Sequence, residues 1–282
     1  MDSSLDQIIA VTRRKMLQRK PTVDMRHLEH MAEMHNPRGF RRSLESRSQT
    51  GPAVIAELKK ASPSRGLIRS AFDARHLAME LEQAGAAALS VLTEEEFFAG
   101  SLENLRSASA STRLACLRKD FIVDETQVVE ARANRADAIL LITSALSQAE
   151  LEMLASRAGQ YQLDVLCEVH NREEVQRAID AGCNLIGVNN RDLRTFQVDL
   201  KTALALADSI PAGVFRVAES GIHSAADITQ LANAGYRAFL IGESLMQSKS
   251  PGAALATLLA ESKPRPAGSL GTVHGKQEAD RP

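Results

Sequence analysis

The chain has 282 residues, 44% of them hydrophobic, and its 34 Lys and Arg are balanced by 35 Asp and Glu to a net charge of -1. A balanced charge provides no overall field for nucleic acid or an anionic membrane, so we expect neither as a partner and expect any bound anion to be held locally. The N-terminus has acidic residues before a short apolar stretch, and no apolar run reaches the ~18 residues of a membrane span, which predicts a cytoplasmic protein.

Residues 1–50 are predicted to form an N-terminal helical extension that packs on the rest of the protein as a lid or a plug. This segment contains two or three amphipathic, Arg-rich helical patterns, including residues 5–18 and 39–46. Their basic side chains are interpreted as a solvated helix face rather than a binding site. These side chains are Arg13, Arg14, Lys15, Arg19 and Lys20.

Apolar runs alternate with helical patterns throughout residues 51–262. The predicted strands are residues 53–58, 86–92, 113–118, 137–142, 163–168, 184–189, 214–218 and 237–241. The helices between them include residues 73–84, 126–134, 149–158, 173–181 and 225–234. A repeat of roughly 20 to 33 residues is the size of one βα unit, and nearly continuous apolar strands are typical of strands buried on both faces. Eight such units predict an α/β fold, a single (β/α)8 TIM barrel.

Several predicted helix ends support this assignment. Glycines that would end a helix before the next strand are Gly85, Gly182 and Gly235. Candidate N-caps are Asp73, Ser147, Asn171 and Ser224. An open doubly wound sheet would share the alternation, but it usually has fewer strands and would not distribute polar groups over so many strand ends.

The last segment, residues 263–282, is rich in Pro, Gly and charge and has almost no large apolar residues. Such a composition predicts a disordered tail.

The three cysteines, Cys116, Cys167 and Cys183, lie within or beside apolar runs and have no CxxC spacing. Buried, reduced thiols are therefore expected rather than a redox pair or a metal site. Since no cluster of His, Cys and carboxylates has ligand spacing either, we predict neither a metal nor an organic cofactor.

Polar residues follow five of the apolar strands at the point where each strand ends. They are Glu57 and Lys59; Lys119; Glu168; Asn189 and Asn190; and Glu219 and Ser220. Because the carboxyl ends of all barrel strands meet at one rim, these side chains are expected to share one polar cavity. Lysines and carboxylates converging there can act as general acids and bases. Structural salt bridges are the alternative, although burying so many of them is costly.

The seventh and eighth predicted strands end in glycine-containing segments, residues 218–223 and 240–246. Barrels commonly bind phosphate with the loops after these two strands and the N-terminus of a short extra helix. Gly221 and Gly242 would allow close approach of the backbone, and Ser220 would add a hydroxyl donor. Tight turns explain each glycine singly, but not their occurrence at both strands.

Two histidines, His170 and His223, lie just beyond polar strand ends. They are interpreted as capping or supporting groups rather than as reactive groups.

With these strand ends the chain resembles the indole-3-glycerol phosphate synthase family over about residues 5–260. The segments that carry the resemblance are residues 55–64 (IAELKKASPS), 91–101 (VLTEEEFFAGS), 117–122 (LRKDFI), 168–170 (EVH), 186–193 (IGVNNRDL), 219–222 (ESGI) and 242–246 (GESLM). Departures are slight: Ala218 stands where a serine is common, and the C-terminal tail is longer than the family needs.

The resemblance implies a cofactor-independent carboxy-lyase whose phosphorylated small-molecule substrate is 1-(2-carboxyphenylamino)-1-deoxyribulose 5-phosphate, and whose products are indole-3-glycerol phosphate, carbon dioxide and water. It implies Lys119 as the general acid on the substrate C2 carbonyl and Glu168 as a base in the later dehydration. The implied catalytic residues are Glu57, Lys59, Lys119, Glu168, Asn189 and Glu219. The implied substrate-binding residues are Phe121, Leu140, Leu193 and Leu240 as apolar walls around the aromatic ring; Arg191, with Lys59, at the anthranilate carboxylate; and Ser62, Ser220, Gly221, Gly242 and the backbone N–H of Glu243 at the phosphate end.

Several alternatives stay open at this level. Phosphoribosylanthranilate isomerase and the tryptophan synthase α-subunit would share the glycine loops, but not the combination of Glu57, Lys59, Lys119 and Glu168. A non-catalytic barrel that senses a phosphate ligand is the rival from another class. The sequence does not decide which of Lys59 and Lys119 donates at each step, and we expect a monomer or a weak homo-oligomer.

Overall fold

In the computed structural model, which describes residues 5–192 and 195–262, parallel strands close into an eight-stranded barrel. The barrel strands are β1 (Ala53–Leu58), β2 (Ala88–Leu92), β3 (Ala115–Lys119), β4 (Ala138–Ile142), β5 (Asp164–Val169), β6 (Leu185–Asn189), β7 (Phe215–Glu219) and β8 (Ala238–Ile241). Each strand pairs with its neighbours in sequence, and β1 pairs with β8 to close the ring. The (β/α)8 prediction is confirmed. The predicted disordered tail, residues 263–282, lies outside the described residues.

Helices connect the strands and extend the chain at both ends. They are α1 (Leu5–Arg19), α2 (Met25–Glu33), α3 (Phe40–Ser48), α4 (Ala74–Gln83), α5 (Leu102–Ala110), α6 (Glu125–Ala133), α7 (Gln148–Gln160), α8 (Arg172–Asp180), α9 (Lys201–Leu206), α10 (Ala225–Asn233), α11 (Glu243–Gln247) and α12 (Pro251–Glu261). A short hairpin, Ala61–Ser62 with Gly66–Leu67, follows β1. Within the described ranges no helix is both long and apolar enough to cross a bilayer.

The predicted helix caps are confirmed. Side chains of the four candidate N-caps, Asp73, Ser147, Asn171 and Ser224, accept hydrogen bonds from backbone N–H groups of α4, α7, α8 and α10. The three helix-ending glycines, Gly85, Gly182 and Gly235, adopt positive φ angles. These local signals determine where each helix begins and ends, which is why the predicted helix boundaries differ from the observed ones by at most two residues.

Alternation along each strand separates an outer core from an inner one. On β1, for example, Val54, Ala56 and Leu58 pack outward against the helices, whereas Ala53 and Ile55 pack inside the barrel. The next inward position after Ile55 is Glu57, because side chains of a strand alternate between its faces. Inward positions are thus apolar in the lower barrel and become polar at the carboxyl ends of the strands.

Helix α3 fills the opposite end of the barrel. Its Phe40 and Leu44 are fully buried and pack with the inner cluster beside Ala53 and Ala115, at the amino ends of β1 and β3. Two side chains of the N-terminal segment thus belong to the inner core of the barrel.

Helix α1 lies across the carboxyl rim, and its basic side chains do more than face solvent. Ion pairs join Arg13 to Glu150 at 2.7 Å, Lys15 to Glu96 at 2.8 Å, Arg19 to Glu130 at 2.7 Å and Lys20 to Asp124 at 2.9 Å. All four acidic partners belong to the barrel, so Arg13, Lys15, Arg19 and Lys20 also hold the extension to the barrel, whereas Arg14 is exposed as predicted. Since most of these side chains are half exposed, each pair is worth at most about 1 kcal/mol.

The segment before α3 is held at the amino ends of the strands by a buried carboxylate, Asp137, which directly precedes β4. Arg38 donates to it from its backbone N–H and its guanidinium, with the shortest contact 2.6 Å. The His35 ring lies 3.1 Å from Asp137 Oδ1, and the Cys116 N–H donates to Oδ2 at 2.6 Å. Burial opposes ionisation of Asp137, but these donors outweigh it and lower the pKa of the carboxyl below its ordinary value.

Candidate active site

A cavity of about 330 Å³ opens at the carboxyl ends of the barrel strands. The six residues predicted to be catalytic all line it; they are Glu57, Lys59, Lys119, Glu168, Asn189 and Glu219. Lys119, Asn189 and Glu219 are each the last residue of a strand. Each lies on the carboxyl-end side of the apolar inner core. The barrel therefore brings together side chains that are far apart in sequence.

Lys119 is the centre of this group. Its ammonium Nζ donates to Glu219 Oε2 at 2.6 Å and to Glu168 Oε2 at 3.3 Å. Both carboxylates are almost completely buried, and only 14% of the lysine side chain is exposed. A cation held between two carboxylates and open to a cavity can give a proton to a ligand and take one back.

The charged groups in this cluster change one another's pKa values. Burial disfavours the Lys119 ammonium, but the charges of Glu219, Glu168 and Glu57 outweigh burial and raise the pKa of Lys119 well above its ordinary value. Burial raises the pKa of Glu219 to about 7, with Lys119 opposing the rise and Glu168 adding to it. For Glu168 burial acts in the same direction, but Lys119, His170 and a hydrogen bond from Asn189 leave its pKa lowered. At neutral pH the lysine is charged, Glu168 is ionised and Glu219 is close to its midpoint.

Glu57 and Lys59 form a second pair on the same rim. Lys59 Nζ lies 2.9 Å from Glu57 Oε1, and both side chains are largely buried. Burial of Glu57 is outweighed by Lys59 and Lys119, so the pKa of Glu57 is lowered and the carboxylate stays charged. Their spacing of two along the chain at the end of β1 places both on the inward face, as predicted.

Two inward-facing glycines leave the space that these carboxylates occupy. A Cβ on Gly187 of β6 would overlap Glu219 Oε1, and a Cβ on Gly242 would overlap Glu57 Oε1. The same Glu219 Oε1 is buried without a hydrogen-bond partner among the described residues. Gly187 carried no signal of this role in the sequence, because a glycine within a strand pattern identifies no particular neighbour.

The loops after β7 and β8 line the same cavity with Ser220, Gly221, Gly242 and Glu243. Ser220 and Gly221 both have positive φ, of 64° and 76°. Gly242 directly precedes the short helix α11, whose first turn has no side-chain cap. Free N–H groups in such a turn favour an anion.

The side walls of the cavity are apolar and aromatic. Phe121, Leu140 and Leu240, predicted to face an aromatic ring, line it together with Phe98, whose ring centroid is 6.1 Å from that of Phe121. The further predicted wall residue, Leu193, lies outside the described residues. Phe98 belongs to the 91–101 segment noted in the sequence, but its position over Phe121 depends on long-range packing.

Ser62 does not line the main cavity with the other residues predicted for the phosphate end. It is buried and lines an adjoining cavity of about 90 Å³, which also contacts Leu5 and Ile8 of α1. Lys59 and Phe121 line both cavities, so the cavity at Ser62 adjoins the main site.

Arg191 and Arg65 both pair with Glu243. Arg191 Nη2 lies 3.3 Å from Glu243 Oε2, and Arg65 Nε lies 2.9 Å from Glu243 Oε1. Arg191 was predicted as a substrate-binding residue, whereas Arg65 is an addition from the structure. The sequence could have indicated Arg65 only through its position directly after the 55–64 segment.

The three cysteines are buried and free, as predicted. Within residues 5–192 and 195–262 there is no group of three or more His, Cys, Asp or Glu arranged to hold a metal ion.

The fold and the cavity define the class of protein: a (β/α)8-barrel enzyme with a lysine–carboxylate centre at the carboxyl rim. Residues 5–258 match the family model described as "Indole-3-glycerol phosphate synthase". An indole-3-glycerol phosphate synthase from Koribacter versatilis is 57% identical, covering 92% of this chain and 100% of the relative. Another, from Carboxydothermus hydrogenoformans, is 45% identical, with coverages of 91% and 99%. The chain belongs to the indole-3-glycerol phosphate synthase family.

Among solved structures, a 3-hexulose-6-phosphate synthase aligns with a TM-score of 0.61 over 74% of this chain and 99% of that one. At 15% identity this likeness concerns the barrel fold alone.

Proposed function

We propose that the protein converts 1-(2-carboxyphenylamino)-1-deoxyribulose 5-phosphate into indole-3-glycerol phosphate, carbon dioxide and water, as a step of tryptophan biosynthesis. The observation that carries this proposal is Lys119, held between Glu168 and Glu219 and open to the cavity. The aniline nitrogen of the substrate supplies the electrons for ring attack. The enzyme therefore has to supply proton transfer and positioning.

Ring closure is the first step. The ring carbon that bears the carboxylate attacks the C2 carbonyl, a carbon–carbon bond forms, and negative charge develops on the carbonyl oxygen. Lys119, whose raised pKa keeps it protonated, donates to that oxygen, because the forming alkoxide is the stronger base. Glu57 and Glu219 orient the lysines and the forming hydroxyl. Loss of carbon dioxide then restores aromaticity.

Dehydration completes the reaction. The new hydroxyl leaves as water, and a proton is removed to form the indole double bond. Glu168 acts as the base in this step, supported by its lowered pKa, which keeps it ionised at neutral pH. Lys59 and Lys119 both line the cavity, and either ammonium can protonate the departing hydroxyl.

The two ends of the substrate bind at opposite parts of the cavity. Lys59 and Arg191 hold the anthranilate carboxylate, and Asn189 hydrogen-bonds the reacting sugar portion. The phosphate binds at Ser220, Gly221, Gly242 and the backbone N–H of Glu243, with Ser62 at the edge. This placement of the phosphate is supported by the uncapped first turn of α11 and by the positive φ of Ser220 and Gly221. The apolar walls Phe121, Leu140 and Leu240 face the aromatic ring.

We also propose that the enzyme works in the cytoplasm as a monomer or a weak homo-oligomer. Three free, buried cysteines support a reducing compartment.

Incubation of the purified protein with the carboxyphenylamino sugar phosphate tests the function. Formation of indole fluorescence together with one carbon dioxide per indole is expected. Tight binding of the substrate without either product would favour a phosphate-sensing barrel, and isomerisation of the substrate to a phosphoribosyl amine without decarboxylation would favour the isomerase.

A further inference from the structure

His170 lies between two carboxylates at the end of β5. Its Nδ1 is 3.1 Å from Glu174 Oε2 on α8, and its Nε2 is 3.5 Å from Glu168 Oε1. Only 16% of the side chain is exposed. His170 does not line the main cavity, whereas Glu168 does, so the imidazole reaches the site only through Glu168.

The hydrogen bonds around Glu174 determine how the ring is protonated. Glu174 Oε1 accepts from the Asn171 side chain at 2.7 Å, and Oε2 accepts from the His170 backbone N–H at 2.8 Å. An ionised carboxylate in this position needs donors, which makes His170 Nδ1 a donor to Glu174.

The surroundings of the other ring nitrogen, Nε2, then determine whether the His170 ring is neutral or charged. Nε2 is buried and has no hydrogen-bond partner among the described residues. In a neutral ring protonated at Nδ1, the Nε2 lone pair would face the Glu168 carboxylate and repel it. In the imidazolium both nitrogens carry protons and both face carboxylates, so the charged ring is the form that this geometry favours.

We infer that His170 is held as an imidazolium by Glu174 and is a positioning residue that keeps Glu168 ionised and oriented as the base. The inference rests on the proposed function for its catalytic consequence, but its statement about the charge of His170 does not.

The electrostatics agree with the geometry. Burial lowers the pKa of His170, but the hydrogen bond to Glu174 and the charges of Glu168, Glu174 and Glu219 outweigh it and raise the pKa above the ordinary 6.5. The charged groups that act on the ring come from three elements: Glu168 on β5, Glu174 on α8 and Glu219 on β7. Lys119 on β3 contacts the other carboxylate oxygen of Glu168, Oε2. In return, His170 contributes to the lowered pKa of Glu168.

Replacement of His170 should therefore change the pH dependence of catalysis. His170→Asn retains a donor that can reach Glu174 but removes the charge beside Glu168. The pKa of Glu168 rises, so the acidic limb of the kcat profile moves to higher pH. We expect kcat at neutral pH to fall a fewfold because Glu168 is less firmly oriented, KM to be nearly unchanged, and the deficit to grow as the pH is lowered into the shifted limb.

His170→Gln and His76→Asn are the companion variants. Glutamine places an uncharged donor near the position of Nε2, so its acidic limb should move less than that of His170→Asn. His76 is exposed on α4, and its replacement should leave the profile of the parent unchanged. If His170 only supported the start of α8, its variants would lose stability while the limb stayed in place.

Side-chain nitrogen NMR tests the charge of His170 directly. The parent should give an imidazolium pattern at neutral pH and should titrate above the ordinary value. Neutral His170 at pH 7, or superimposable kcat profiles of the parent and both His170 variants, would overturn the inference. Absence of turnover by the parent would instead refute the proposed function, and the NMR result would still decide the charge.

Discussion

The two ends of the barrel each bury a carboxylate among basic side chains, yet the two carboxylates have opposite properties. At the amino ends, Asp137 receives donors on both oxygens from Arg38, the His35 ring and the Cys116 N–H. At the carboxyl rim, Glu219 receives one ammonium on Oε2, and its Oε1 has no partner among the described residues. A carboxylate whose hydrogen-bonding capacity is filled holds the fold together, whereas one that is left partly unsatisfied is available for a ligand.

The pKa values follow the same division. Donors lower the pKa of Asp137 in spite of burial, whereas burial raises the pKa of Glu219 to about 7. Ionised Asp137 therefore stabilises the folded protein at neutral pH, whereas the buried Glu219 carboxyl destabilises it there. Substitutions at the two ends should consequently separate stability from activity.

The largest effect is expected from Lys119→Met, which removes the ammonium while keeping a chain of similar length. Without the proton donor, kcat should fall at least about a thousandfold. The fold should be kept, because Glu168 and Glu219 can share a proton when the cation is gone. Indole fluorescence and circular dichroism measure the two properties. Lys201→Met, at an exposed position on α9, is the matched control and should retain parental activity.

Asp137→Asn should have the opposite outcome. It leaves the Arg38 guanidinium without a charged partner in a buried network, which should lower the free energy of unfolding by about 3–5 kcal/mol. Urea denaturation checks this loss. The kcat of the folded fraction should stay close to that of the parent, since Asp137 is at the far end of the barrel; a loss of kcat without a loss of stability would contradict the comparison.

Glu219→Gln should remove a pH-dependent destabilisation of the folded protein. The pKa of Glu219 is about 7 in the folded protein against an ordinary 4.5, so the folded state binds more protons than the unfolded state between these values, and stability falls as pH rises through this window. Glutamine does not ionise, so the variant should gain stability relative to the parent from about pH 5 to about pH 8, on the order of 3 kcal/mol.

Denaturation of both proteins across this pH range checks the prediction for Glu219→Gln. The exposed Glu152→Gln on α7 serves as the control and should show no such trend. Parallel stability curves for the parent and Glu219→Gln would mean that Glu219 is not held in a raised-pKa state.

Gly187→Ala should produce the smallest of these effects. The added methyl group overlaps Glu219 Oε1, so the carboxylate must move away from Lys119. We expect kcat to fall about tenfold to a hundredfold. Gly159→Ala is the control, since its added Cβ meets no atom within 4 Å and lies in α7. That control should keep full activity and gain a few tenths of a kcal/mol or more. Equal kcat for Gly187→Ala and the parent would show that Glu219 does not depend on this space.

The barrel could be predicted because its signals are local. Nearly continuous apolar runs, caps such as Asp73 and Ser224, and helix-ending glycines each depend on a few neighbouring residues. Polar strand ends then indicated the rim, because the carboxyl ends of parallel barrel strands lie together whatever the remaining details. Strands β3 and β7 extend one residue beyond the prediction, to Lys119 and Glu219, because continued pairing with their neighbours outweighs the polar side chain.

Other features could not be read from the sequence because they depend on contacts between distant residues. Arg13 on α1 and Lys20 just after it meet partners 137 and 104 positions away, so their pattern in the sequence resembled an ordinary solvated face. The space left by Gly187 has meaning only once Glu219 is beside it. His170 was expected to be a supporting group, but its contact with Glu168 on one side and Glu174 on the other required the three-dimensional arrangement.

Carbon dioxide release from substrate bound to the Lys119→Met enzyme tests most directly whether the carboxyl-rim cluster performs the chemistry. Calorimetry first establishes that the labelled carboxyphenylamino sugar phosphate is bound, and a single turnover is then followed. Bound substrate with no carbon dioxide released in the time that the parent needs for many turnovers is the expected result. Release at a rate within about tenfold of the parent would show that the ring closes without Lys119 and would contradict the assignment.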